Sequence, residues 1–263
     1  MEQIFAIDVS LFTSFLLTLF RISLLVFLLP FYDGANIPAQ VKAALCIVLS
    51  LALWPHLSPD GTLFPAHPLG IILLLFSEAL LGLLLGLYIN FIFAGIQTGG
   101  QLLGFQMGFT MASVADPMTG AQIAITSQLL YMVSMLCFLA LDGHLLILQA
   151  LTSSFKIIPP GAFFIRPPLL ADVLALSGIM FLLAIKIAAP VLACLLMVEL
   201  ALALMARAAP QMNLLILGMP IKIAIGFFFM SLIFTILARY LEEFLVGLGP
   251  MFINLLRASG GAV

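Results

Sequence analysis

Six long runs of apolar residues alternate with short polar breaks along the chain. Each run is close to the ~20 residues that a helix needs to cross the hydrocarbon core of a bilayer. Because every backbone amide must be satisfied inside hydrocarbon, such runs are expected to be helical. The pattern therefore predicts an all-α integral membrane protein of about six long, kinked helices arranged as hairpins, with bounds near 9–29, 41–57, 69–94, 123–150, 173–205 and 214–238.

One polar break differs from the others because it is rich in glycine, methionine and phenylalanine. Residues 95–122 contain six glycines and a single charge, that of Asp116. Glycine lets backbones approach closely and weakens regular structure, while Phe and Met supply large, adaptable apolar contacts. This stretch is therefore interpreted as a movable seal that gates a path through or beside a membrane, with the rest of the chain as its frame.

Two conformations of this stretch stay open at the level of sequence. If its first half is helical, Gly100, Gly104 and Gly108 share one helix face. If residues 105–112 are extended instead, a period of two places four large side chains on one side of the strand. These four are Phe105, Met107, Phe109 and Met111.

Two short motifs with an acidic residue read most simply as turns. Asp116-Pro117 predicts a turn in which Asp116 caps the following helix, and a direct role for the Asp116 charge is the alternative. The Asp142-Gly143-His144 motif predicts a turn or helix break near the end of the fourth apolar run. A lone Asp beside a lone His also suggests proton handling, but no second carboxylate or His stands at helical spacing.

Composition supports a membrane protein and argues against other classes. The chain has 263 residues, of which 64% are hydrophobic and only 8% charged, with a mean hydropathy of +1.31. A soluble domain carries about a quarter charged residues. The net charge of −2 and the lack of any Lys/Arg cluster argue against nucleic-acid binding. The three cysteines lie inside apolar runs and suggest no disulfide framework.

Glycines and prolines mark candidate packing and hinge positions. Gly82 and Gly86 form a small-xxx-small pair in the third run, which favours close helix packing. Pro190 is expected to kink the fifth run. In the polar break at 206–222, Pro210 and Pro220 are each expected to interrupt helix, and Gly218 to loosen the backbone.

Charged residues also fall within or near the apolar runs. A charge at the bilayer centre costs ~2.5–3.5 kcal/mol on insertion scales, so each of these side chains should face protein or water. They either form an ion or proton path or pair between helices or subunits, and pairing is the favoured interpretation. The set comprises Arg21, Glu78, Lys186, Glu199, Arg207 and Lys222.

Catalytic and cofactor-binding motifs are absent from the sequence. It contains no HExxH, GxSxG, P-loop or CxxC motif, and its three histidines stand apart from one another. The expectation is a protein that is not an enzyme, with no cofactor and no metal site.

Four motifs along nearly the whole chain together carry a family resemblance. They are IPAQVKAAL from Ile37, which follows Pro30, GFQMGFTMASVADPMTG from Gly104 to Gly120, LDGHLLILQAL from Leu141, and ARAAPQMNLLILGMPIKI from Ala206. With these motifs the chain resembles the FliR family of flagellar biosynthetic proteins and its counterparts in virulence secretion systems.

The resemblance implies a single export gate domain over residues 1–263, resembling a FliP-like part joined to a FliQ-like part. It implies assembly with FliP and FliQ in the bacterial inner membrane, within the flagellar basal body, beside FlhB and FlhA. The substrates would be unfolded flagellar proteins. In the family, a loop corresponding to about 104–120 plugs the pore, which carries the plug role onto Phe105, Met107, Phe109, Met111 and Asp116-Pro117.

A self-contained secondary transporter is the alternative function. Its substrate would be held by broken helices near 97–106 and 211–222. Such a protein is expected to show an internal repeat, and none is convincing in this sequence.

Overall fold

The computed structural model describes residues 9–30, 32, 37–57, 67–109, 125–159, 163, 167–211 and 214–259. Nearly all of these described residues lie in helices, which confirms the all-α membrane class. The helices are α1 (Val9–Leu28), α2 (Ala39–Leu57), α3 (Pro68–Met107), α4 (Ile125–Ala140), α5 (Gly143–Ile157), α6 (Pro167–Ala208) and α7 (Leu214–Ser259).

Fewer helices can span a bilayer than the six predicted. Within the described ranges, α1, α3, α6 and α7 are long and apolar enough to cross a membrane. The fourth predicted run is divided into α4 and α5, which are bent by 67° and give a fifth span only if they count as one. The apolar part of α2, Ala39–Pro55, is shorter than a span.

The break between α4 and α5 lies at the predicted turn. Asp142 has φ 55° and ψ 27°, in the left-handed region that Asp visits more readily than most residues. Its backbone carbonyl accepts hydrogen bonds from the N–H groups of Leu145 and Leu146, at 2.9 and 3.2 Å. Its side chain makes no capping hydrogen bond. The motif therefore acts through its backbone, as a bend that starts α5.

α3 is longer than the predicted run, which was expected to end near residue 94. The helix continues through the glycine-rich stretch to Met107, so residues 105–107 are helical and not extended. Hydroxyl groups of α4 donate to its carbonyls, from Thr126 to Gly100 at 2.7 Å and from Ser127 to Gln97 at 2.9 Å. Close contact with a second helix thus compensates for the low helix propensity of glycine.

Prolines interrupt the helices less often than predicted. Pro210 does lie in the break between α6 and α7. α6 continues through Pro190 as one helix, and the kink expected there stays a prediction. The prediction for Pro220 is wrong, because this residue lies within α7. Membrane helices tolerate internal proline where neighbouring groups satisfy the freed carbonyl.

Packing divides the chain into two compact units. Unit 1 comprises Met1–Phe91, Asp142–Leu176 and Leu245–Val263, and unit 2 comprises Ile92–Leu141 and Ser177–Phe244. The single functional domain over residues 1–263 stays a prediction.

Unit 1 is built on close approach between α1 and α3. A Cβ atom added at Gly82 would collide with the backbone carbonyl oxygen of Arg21, and one at Gly86 would lie 2.6 Å from Cβ of Leu28. Nearby, the indole N–H of Trp54 in α2 donates to Ser14 Oγ at 2.7 Å. The Gly82/Gly86 pair therefore lies where no larger residue fits.

Replacing Gly82 by alanine is expected to destabilise unit 1. The new methyl group meets backbone rather than a flexible side chain, so α1 or α3 must shift, at a cost of ~1–3 kcal/mol for overpacking. Thermal aggregation of the detergent-purified variant measures this loss. Gly247→Ala is the matched control, because a Cβ there meets nothing within 4 Å. Equal midpoints for the two variants would contradict the prediction.

Candidate functional site

The core of unit 2 surrounds the last turns of α3. Apolar side chains from α3, α4, α6 and α7 interlock there, and most are almost fully buried. This core includes Ile96, Leu103, Met107, Leu130, Ile187, Val191, Leu195, Met230, Ile233 and Leu237. The helical part of the glycine-rich stretch, up to Met107, therefore lies in a well-packed core.

The end of α3 is fixed by contacts to α7. Met107 is fully buried, and a Cβ atom added at Gly226 would lie 2.6 Å from its Cε. Gly108 ends the helix with φ 88°, a conformation that favours glycine, and its N–H donates to the Phe105 carbonyl at 3.1 Å. The helix end is thus held by a buried methionine and closed by a glycine.

An aromatic contact continues this packing past the helix end. The Phe109 ring meets the Phe227 ring of α7 edge to face, with centroids 6.2 Å apart. Phe105 points elsewhere and is 60% exposed. Of the three predicted plug side chains that the structure describes, Met107 and Phe109 therefore pack against α7, and Phe105 is presented at the surface.

A charged cluster ties the same helix end to α6 and α7. Gln106 Nε2 donates to Glu199 Oε2 at 3.0 Å, and the ammonium group of Lys222 pairs with Glu199 Oε1. The side chains of Glu199 and Lys222 are 42% and 20% exposed, so the pair is only partly buried within this chain. We call the whole arrangement the plug base, comprising Gln106, Met107, Gly108, Phe109, Glu199, Lys222, Gly226 and Phe227.

The other predicted site residues are placed as follows. Gly100 packs on Ser127, where a Cβ would lie 2.5 Å from Cα, and Gly218 lies beside Leu202. Gly104 is buried, whereas Lys186 and Arg207 are exposed on α6. The remaining three lie outside the described residues, and their plug role stays a prediction: Met111, Asp116 and Pro117.

A second charged cluster lies fully buried in unit 1. Arg21 of α1 pairs with Glu78 of α3, with Nη2 and Nε at 2.5 and 2.6 Å from Oε2, and both side chains are 0% exposed. Its guanidinium also donates to Ser154 Oγ and to the Ile158 carbonyl at 3.3 Å. The ring of Phe155 lies 4.0 Å from the guanidinium carbon. This cluster joins three helices and closes the end of α5.

Sequence reasoning singled out the charged residues of these clusters but not their partners. Ser154 follows Thr152 and Ser153, and Gly226 stands alone in an apolar run, and only the structure shows what each of them faces. Across the described ranges, no group of three or more His, Cys, Asp or Glu side chains is arranged to hold a metal ion. The geometry at both clusters serves to join helices.

Comparison with known proteins assigns the chain to a family. The family described as "Bacterial export proteins, family 1" matches residues 12–247. The flagellar biosynthetic protein FliR of Bacillus subtilis is 35% identical over 236 residues, covering 87% of this chain and 90% of that protein. FliR of Escherichia coli is 27% identical over 225 residues, covering 86% and 85%.

A relative outside the flagellar group matches over similar length. The surface presentation of antigens protein SpaR of Salmonella typhimurium is 27% identical over 217 residues, covering 82% of this chain and 80% of that protein. The match to the family covers most of the chain and includes the helices that form both charged clusters. The protein is thus a multi-pass membrane protein that belongs to family 1 of the bacterial export proteins, the family of FliR.

Proposed function

We propose that this protein is a non-enzymatic subunit of the flagellar type III export gate in the bacterial inner membrane. It assembles with counterparts of FliP and FliQ into a channel for unfolded flagellar proteins, beside FlhB and FlhA. The segment that follows α3 closes this channel as a plug, with Phe105, Met107, Phe109, Met111, Asp116 and Pro117 as its residues.

The observation that carries the proposal is the anchored end of α3. A plug needs a fixed base, and Met107 is buried against Gly226 where α3 ends. The residues that come next in sequence include Met111, an adaptable apolar side chain. Such side chains can close around polypeptides of different sequence without selecting one.

The family relationship supports the export part of the proposal. The relatives described above are named flagellar biosynthetic protein FliR, in Bacillus subtilis and Escherichia coli, and surface presentation of antigens protein SpaR, in Salmonella typhimurium. Their family description names them as export proteins. The chain is therefore a component of a bacterial export apparatus. Its place in the gate, its partner subunits and its plug are our proposal.

The test is whether the chain assembles with its FliP and FliQ counterparts. Co-expressed with its FliP and FliQ counterparts and solubilised in mild detergent, the chain is expected to elute in one large complex with them. A chain that elutes alone and binds a small solute would support the self-contained transporter and overturn the proposal.

Removing the Glu199 charge is expected to loosen the closed gate without unfolding the chain. In Glu199→Leu, Gln106 and Lys222 both lose their shared partner, so the end of α3 is less tightly held. Because the pair is partly exposed, stability should change by less than ~1 kcal/mol. The ion conductance of the reconstituted gate is expected to rise, measured against Glu242→Leu, an exposed carboxylate on α7. Equal conductance would argue against a role for the cluster in closure.

A further inference from the structure

A half-open cavity lies within unit 2, between α3, α6 and α7. Its volume is about 230 Å³, and eight of its ten lining residues are Ile, Leu or Phe. Part of its lining belongs to the packed core, because Ile96, Ile187 and Leu237 line it and are each 1% exposed or less. An apolar cavity of about 150 Å³ is large enough to bind benzene. This cavity therefore has room for an apolar body somewhat larger than a single aromatic ring.

The wall that α7 contributes carries the polar groups of the cavity. Tyr240, Glu243 and Phe244 all line it, and their i, i+3, i+4 spacing places them on one face of the helix. Glu243 is exposed, and it forms no ion pair with any residue that the structure describes, including Arg239 one turn earlier. The wall thus presents an unpaired carboxylate together with two aromatic rings.

The chemistry of this wall favours a cation over other head groups. A carboxylate attracts an ammonium group and repels an anion, and hydrogen bonds between charged groups are about twice as strong as neutral ones. The faces of Tyr and Phe rings attract cations as well. A neutral apolar molecule would fit the cavity but gain little from Glu243. The cavity and its wall therefore complement an amphipathic cation, which has an apolar body and an ammonium head.

We propose that this cavity is a binding site for small amphipathic amines. The apolar body occupies the space lined by Ile96 and Ile187, and the ammonium group pairs with the Glu243 carboxylate. The ligand class is a primary or secondary amine, protonated at neutral pH, whose body is a single ring with a short alkyl chain. The site shares no residue with the plug base, so the inference does not rest on the proposed function.

The test is photoaffinity labelling of the complete chain, purified in mild detergent, with a diazirine derivative of phenylbutylamine. Labelled peptides identified by mass spectrometry should come from the three helices that line the cavity. Three competitors share the phenylbutyl body and differ in the head group: phenylbutylamine, phenylbutanol and phenylbutyrate. The amine should displace the label at the lowest concentration, the alcohol at a higher one and the carboxylate at the highest.

Two variants separate the contribution of charge from that of shape. Glu243→Gln should weaken competition by the amine roughly 3- to 5-fold, the size expected for one ion pair at an exposed position, and should leave the alcohol unchanged. Ile179→Trp should weaken amine and alcohol alike, because Ile179 lines the cavity and a larger side chain there fills part of it. Glu242→Gln is the matched control, since Glu242 is exposed on the same helix but does not line the cavity.

Several results would overturn the inference. Labelling spread over apolar surfaces away from the cavity would show partition without a site. Equal displacement by all three competitors, or an unchanged response of Glu243→Gln to the amine, would show that Glu243 does not select the head group. A cavity that a co-purified lipid or a second copy of the chain already fills would leave the wild-type helices unlabelled and count equally against the site. If Ile179→Trp does not fold, the comparison of Glu243→Gln with Glu242→Gln still decides.

Discussion

A gate assembled with a chain that lacks residues 106–115 is expected to leak ions. The deletion removes the described part of the plug base on α3, including buried Met107, together with Met111 from the segment beyond it. The deleted chain therefore lacks the apolar side chains that we propose close the channel. We expect conductance in planar bilayers to rise at least ~10-fold, which corresponds to only ~1.4 kcal/mol of lost barrier.

A second variant separates loss of the plug from damage to its base. Replacing residues 110–115 by a Gly/Ser segment of equal length keeps Gln106, Met107 and Phe109 in place, and it should leak as well if apolar contact forms the seal. Both complexes must elute at the wild-type volume before conductance is compared. Wild-type conductance from a fully assembled deletion complex would contradict the assignment of the plug.

Arg21→Ala is expected to destabilise the chain more than Gly82→Ala or Glu199→Leu. It leaves the carboxylate of Glu78 buried at 0% exposure with its cation removed. Breaking a buried pair in this way costs ~3–5 kcal/mol. The Ile158 carbonyl also loses the donor that closes α5. The amount of chain that stays monodisperse in detergent after mild heating measures the effect.

Removing both charges together should be less harmful than removing one. In Arg21→Met with Glu78→Leu no unpaired charge remains, and such replacements are often close to neutral. The Ile158 carbonyl still loses its partner, so a residual cost of ~1–3 kcal/mol is expected. Arg207→Ala, at an exposed position, should change stability by less than ~0.5 kcal/mol. A double variant as unstable as Arg21→Ala would show that the pair itself is not the cause.

The helical architecture was readable from sequence because hydrocarbon leaves the backbone few choices. Long apolar runs must form helices, and the Asp142-Gly143 motif marked the bend because few other residues adopt left-handed backbone easily. The residue at which α3 ends could not be predicted from the sequence. Its glycines predict a weak helix, and only the hydroxyl groups of Thr126 and Ser127 show how that helix is supported.

The site shows the same division between local and distant information. Arg21 and Glu78 were expected to form ion pairs because both lie within apolar runs of the sequence. Their pairing depends on how α1 packs against α3. The sequence of either helix alone does not show it. Pro220 was expected to interrupt helix on local grounds, yet α7 continues through it and packs against Met107 and Phe109.

The bend at Asp142 has a consequence for membrane topology. α4 and α5, with 16 and 15 residues, are each shorter than the ~20 needed to cross alone. If the bent pair crosses as one unit, the described helices cross five times, and Val9 and Ser259 lie on opposite sides. If it dips in and returns, there are four crossings and both ends share a compartment. The number of crossings made by the described helices, and the side on which Ser259 lies relative to Val9, therefore depend on how the bent pair at Asp142 sits in the bilayer.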